Sequence, residues 1–201
     1  MVPTDIEILA ELFFNKGYPR PIEGIVDKND IPEVRAFLAE KHTEWAIETG
    51  MNRDMELAKV AFEVYATGHP EEAYQRAKKG CIQPLVVIAR KCFAQENPSE
   101  AYRTGLDHKD ESHIDKSLVE LARRELSNQQ PDLAYKQAVR LGDKTLLEYA
   151  TFTLIHQYPE MGYELGLRYE DAKLMKESIK SILKNDESRI HTMNSLLNKK
   201  K

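Results

Sequence analysis

Four segments of the chain carry the pattern Pro-x-x-(Ala/Gly)-Tyr-x-x-(Ala/Gly), and this recurrence restricts the possible folds more than any other feature. They run Pro70 to Ala77, Pro98 to Gly105, Pro131 to Ala138 and Pro159 to Gly166, with the prolines 28, 33 and 28 residues apart. The match continues upstream. Thirteen residues before each proline stands Leu57, Leu85, Leu118 or Leu146; ten before, Val60, Ile88, Leu121 or Tyr149. Nine before stands Ala61, Ala89, Ala122 or Ala150, and five before, Tyr65, Phe93, Leu126 or Leu154. Self-similarity at a fixed period of this length is the signature of stacked supersecondary units.

The upstream offsets form one helical stripe of the i, i+3, i+4, i+8 type, so each unit opens with an amphipathic helix of roughly three to four turns. A polar turn is expected next, such as Thr67-Gly68-His69 or Asn128-Gln129-Gln130. Pro70, Pro98, Pro131 and Pro159 then stand where a second helix begins. There the missing N–H costs nothing and the fixed φ is already helical. Glu71, Asp132 and Glu160 suit the same first turn, where negative charge is favoured. In the second helix the small residues three and seven positions after the proline share a face and admit a close neighbour. The unit is a helix–turn–helix hairpin that buries its stripe only by stacking on others.

The spacing divides the chain into one domain with four repeats, 57–84, 85–117, 118–145 and 146–173. The flanks read as degraded copies: a capping hairpin over 31–56, where Thr43 to Gly50 aligns with the second helix, and another with its tail over 174–201, where Glu187 takes the proline position. A leading helix over 1–17 opens with the capping box Thr4-x-x-Glu7 and ends at Gly17, followed by a linker over 18–30 that opens with the rigid, extended stretch Tyr18-Pro19-Arg20-Pro21.

This arrangement resembles the α-solenoid class of helical-repeat proteins, the group of tetratricopeptide-like and HEAT-like hairpins. The resemblance covers residues from about 31 to 197 and implies an all-α, right-handed superhelix used as a rigid scaffold for peptides, proteins or nucleic acid. It stops at the class: tetratricopeptide units have a period near 34 residues and place their proline at the end of the second helix.

The remaining composition narrows function by exclusion. A formal net charge of -4 argues against a general nucleic-acid binder, although a local basic patch is compatible with it. The longest apolar run, Pro84 to Ala89, is far below the roughly 20 residues of a membrane span. The acidic N-terminus does not read as a signal peptide, and two cysteines make no disulfide framework, so a cytoplasmic location is expected. Cys92 falls on an apolar face and reads as a buried small hydrophobe. There is no phosphate-cradling glycine loop, no nucleophile elbow and no paired-histidine zinc motif, so neither a catalytic residue nor a cofactor is expected.

Three groups of residues compete as sites. Tyr74, Tyr102, Tyr135 and Tyr163 form either a ligand-binding ladder or mortar between hairpins; their recurrence beside core alanines favours mortar, with each hydroxyl reaching a backbone carbonyl. Arg90, Lys91, Arg103, Arg123, Arg124, Lys136 and Arg140 fall on solvent-facing positions of the middle units and would stack into a basic stripe for an acidic partner, or form a solvated face balanced by nearby carboxylates. The longer third spacing places an insertion at Leu106 to Asp115. His108, Asp110 and His113 lie within it, in a spacing that fits a charged loop better than a metal site. The reading that follows is a non-catalytic scaffold for a protein or peptide partner. The alternatives are a nucleic-acid (RNA/DNA) binder using the basic stripe, or a homo-oligomeric structural component using the apolar face of Ile179, Ile182, Leu183, Ile190 and Met193.

Overall fold

The computed structural model describes residues 4–19, 22, 25–106 and 114–198, with the backbone alone for 186–198. Among the described residues the chain is all-α: twelve helices and no strand. It forms two compact units, 1–118 and 119–201. Of the inserted segment, residues 107–113, with His108, Asp110 and His113, lie outside the described residues, whereas its last residue, Asp115, is described and buried.

The first unit holds α1 (Asp5–Lys16), α2 (Ile31–Lys41), α3 (Thr43–Arg53), α4 (Met55–Gly68), α5 (Pro70–Gly80), α6 (Gln83–Glu96) and α7 (Pro98–Leu106). α8 (Lys116–Gln129) starts at its end and runs into the second unit, which continues with α9 (Pro131–Leu141), α10 (Lys144–Gln157), α11 (Pro159–Arg168) and α12 (Ala172–Asn198). Each of the four repeat prolines is the first residue of its helix, as the motif requires.

The expected three-residue turns are shorter. One residue separates the two helices of a hairpin, and it takes nearly the same backbone conformation wherever its angles are described: φ/ψ of -137/61 at His69, -136/64 at Asn97, -139/63 at Gln130 and -133/56 at Tyr158. Proline disfavours the α conformation at the residue before it, which suits this hinge, although His42, followed by Thr43, adopts a similar φ/ψ of -133/47 between α2 and α3. The polar residues just upstream belong to the last helical turn: the His69 N–H still donates to the Tyr65 carbonyl at 2.9 Å.

Burial follows the repeat. The leucines thirteen before each proline, the alanines nine before, and the small residues three and seven after are all buried. The positions ten before are half-buried, as is Tyr65 among those five before. The most extensive packing is not within a hairpin but between the second helix of one unit and the first of the next: α3 on α4, α9 on α10 and α11 on α12, with α5 on α6 matching the packing of α4 on α2 and α6. The small residues permit it. A Cβ on Gly50 would lie 2.4 Å from the Ala58 backbone nitrogen, and one on Gly166 would lie 2.5 Å from Met175 Cγ and 2.9 Å from its nitrogen.

The ends differ from the expectation. Within the linker, Tyr18, Ile22 and Val26 are buried. α1 keeps its capping box, with Thr4 and Glu7 bonded reciprocally, and packs on α2. The C-terminal segment, expected as a hairpin, is one unbroken helix to Asn198. Glu187 replaces the proline there, and a glutamate neither removes a backbone donor nor forces a hinge. Cys92 is buried; Cys81 is exposed with a φ of 53°.

Candidate functional site

Each first helix needs an acceptor for the free N–H groups of its opening turn. In four cases an aspartate three residues before the leading leucine supplies it. Asp54 accepts from the Leu57 N–H at 3.2 Å, Asp115 from Leu118 at 3.1 Å, Asp143 from Leu146 at 3.0 Å and Asp171 from Leu174 at 2.9 Å. The carboxylates then do a second job. The Tyr74 hydroxyl donates to Asp115 Oδ2 at 2.9 Å, and the Tyr135 hydroxyl donates to Asp171 Oδ2 at 2.9 Å. Tyr18 makes the same bond to Asp54 at 2.5 Å. Tyr74, Tyr102 and Tyr135 are buried among the helices, as mortar would be. The acceptor at Tyr74 and Tyr135, however, is a capping carboxylate and not the backbone carbonyl expected from the sequence. Tyr163, in the last repeat, is only half-buried.

A third donor completes the arrangement. Arg35 Nε donates to Asp54, Arg90 Nε to Asp115 and Arg123 Nε to Asp143, each at 2.9 Å. Arginine, tyrosine and helix N-terminus thus converge on one aspartate and form a clasp. Burial by itself would raise the Asp115 carboxyl pKa. The bonds from Arg90, the Leu118 N–H and Tyr74 outweigh it and hold the group below the usual carboxylate range; Asp54 is held down in the same way. The phenols move oppositely: burial first, then the adjacent carboxylate, pushes Tyr18, Tyr74 and Tyr135 well above the ordinary value.

These raised phenols predict an alkaline limit to stability. A folded-state pKa above the unfolded one stabilises fully below the unfolded value, about 10 for tyrosine, and less as pH climbs through the folded value. The urea midpoint is therefore expected to fall above about pH 10, and to fall less steeply in Tyr74→Phe. A midpoint independent of pH across this range would refute the clasp chemistry.

The basic stripe is largely engaged by the chain's own carboxylates. Arg90 pairs with Asp115 at 2.9 Å and Arg123 with Asp143 at 2.8 Å, both with side chains about three-quarters covered. Arg103 pairs with Glu100, Arg124 with Glu120 at 3.1 Å, and Lys136 with Asp132 at 2.9 Å. Arg124 also lies over the Tyr149 ring. Lys91 and Arg140 are exposed and form no ion pair among the described residues. The solvent-facing placement read from the sequence therefore fails for Arg90 and Arg123, which are internal fasteners. The signal that could have revealed this is a second recurrence: aspartate three before the leucine, and arginine five after Leu85 and Leu118.

Among the described residues of the second unit is a cleft of about 400 Å³ between α10 and the start of α12, within the roughly 300–1,000 Å³ typical of ligand pockets. Leu147, Thr151, Phe152, Ile155, Asp171 and Leu174 line it. Phe152 is 63% exposed, and its ring lies 4.4 Å from that of His156. Among the described residues no three His, Cys, Asp or Glu side chains gather as a metal site. No helix among them is long and apolar enough to cross a membrane.

Comparison with known protein families, curated proteins and solved structures finds no match to this chain.

Proposed function

We propose that the chain is a non-catalytic helical-repeat scaffold that binds a protein or peptide partner, its hairpins stacked as a right-handed superhelix with a period of about 28 residues. The observation that carries this reading is the cleft between α10 and α12, whose walls are mainly apolar and whose rim presents Phe152 to solvent. A large exposed aromatic beside a concave apolar surface is the usual anchor point for a polypeptide side chain. The pairing of the largely covered Arg90 and Arg123 with Asp115 and Asp143 takes two cations out of the basic stripe, which supports a protein partner over nucleic acid.

The test uses the full chain as bait in extracts of its native cell, beside Phe152→Glu. Because Phe152 is exposed, the variant is expected to keep the wild-type helical content and Tm while losing the captured partner. A partner retained at full yield by a folded Phe152→Glu chain would remove this face from consideration.

A further inference from the structure

The clasps share a fixed grammar, and the last one breaks it. At Asp115 and Asp143 the arginine comes from the fifth position after the preceding leading leucine, Leu85 or Leu118. Where the aspartate is absent the arginine is absent too: Ile82 stands three before Leu85, and Phe62 stands five after Leu57. At the junctions before Leu85, Leu118 and Leu146 the pair is kept or dropped together. At the final junction Asp171 is kept, but Thr151 occupies the arginine position. Asp171 still accepts from Tyr135 and from the Leu174 N–H, yet no cation pairs with it among the described residues. The space is not refilled, since Thr151 and Asp171 both line the open cleft.

We propose that this cleft receives an arginine side chain from a partner polypeptide, whose guanidinium takes the place that Arg90 and Arg123 occupy at the earlier clasps. The inference rests on the scaffold reading and names what its cleft recognises. The recognition chemistry is already written in the molecule: an arginine Nε donates to this same carboxylate position at 2.9 Å in the other clasps. Phe152 and His156 at the rim offer ring faces of the kind on which a planar guanidinium stacks. Guanidinium is preferred to ammonium here because it sheds water more readily and presents donors in a fixed fork. Glu148 adds negative charge to the lining, and Lys173 opposes it; the Lys173 ammonium also acts on Glu177, one helical turn along α12. Leu147, Ile155 and Leu174 take up the aliphatic stem.

The experiment titrates the full chain, followed by NMR at Phe152 and His156, with Nα-acetylarginine methylamide, its citrulline counterpart and its lysine counterpart. A saturable shift is expected with the arginine compound. The uncharged citrulline compound and the lysine compound are expected to bind more weakly by on the order of tenfold each. Thr151→Arg supplies the missing side chain from within. It is expected to raise Tm by about 2–4 °C and to abolish the response to the arginine compound. Equal binding of the citrulline compound, an unaltered titration in Thr151→Arg, or an unchanged Tm in that variant would each overturn the proposal. Self-association that the arginine compound dissolves, seen by light scattering, would overturn the foreign partner in favour of a second copy of this chain. If all three compounds are silent while Phe152→Glu still loses the captured partner, the arginine proposal falls and the scaffold reading stands.

Discussion

Gly50→Ala is expected to destabilise the protein by about 3 kcal/mol, although it adds a single methyl group. In an exposed helix interior the same change stabilises, by about 0.5–1 kcal/mol, because alanine is the better helix former. Here the added carbon would sit 2.4 Å from the Ala58 nitrogen, 2.7 Å from its Cα and 2.8 Å from its Cβ. Two of these are backbone atoms of α4, so no rotamer change can relieve the overlap and the whole of α3 must retreat. That retreat loosens the close packing of α3 on α4 and thins the contact around Leu57 and Ala58, both fully buried. Gly68→Ala is the control: nothing lies within 4 Å of a Cβ at that site, and the change is expected to be neutral or mildly stabilising. Urea unfolding of the two variants decides the matter. Similar midpoints for both would mean that α3 and α4 are not in the contact described.

Asp115→Ala is expected to cost about 3 kcal/mol or more, because one side chain serves three donors. Its removal leaves the Tyr74 hydroxyl buried without an acceptor, uncaps α8 at the Leu118 N–H and strands the largely covered Arg90 guanidinium. Asp115→Asn keeps acceptor oxygen but no charge, and a smaller loss of about 1–2 kcal/mol is expected. The acid dependence separates charge from packing. Because the folded-state pKa of Asp115 is lowered, its stabilisation is complete above the unfolded value of about 3.9 and is lost as pH falls through the folded value. The gap between wild type and Asp115→Asn should therefore narrow below about pH 4. A gap that stays constant from neutral to acid pH would mean that the ionised carboxylate contributes nothing.

The sequence made the helices readable because their determinants are local. A proline at the first helical position, alanine or glycine at fixed offsets and a stripe of leucines act within one unit, and repetition separates them from chance. The clasp was hidden for the opposite reason. Asp115 is an ordinary capping residue when seen alone, and its bond to Tyr74 spans 41 residues of sequence. Arg90 and Arg123 sit on the flank of the apolar stripe, a position that periodicity assigns to solvent; only the arrival of the next helix's aspartate covers them. The left-handed residue eleven after the repeat proline was equally invisible. Gly142 fits it, but Cys81 and Glu170 occupy the same position with φ of 53° and 54°. Two of three examples thus lack the glycine that would have announced it. α12 runs unbroken where the repeat alignment predicts a hinge, because no residue there enforces one.

The tyrosine–aspartate bonds also bear on how each unit comes apart. Arrays of repeats are commonly described as chains of neighbours, in which an end can peel away while the rest remains intact. Tyr74 on α5 is tied to the cap of α8 across the hairpin α6–α7, and Tyr135 on α9 to the cap of α12 across α10–α11. Opening α6–α7 or α10–α11 disturbs a fastening between the helices on either side of it. Loss of order then propagates, and the cooperative length exceeds a single repeat: stitched in this manner, neighbouring hairpins melt together.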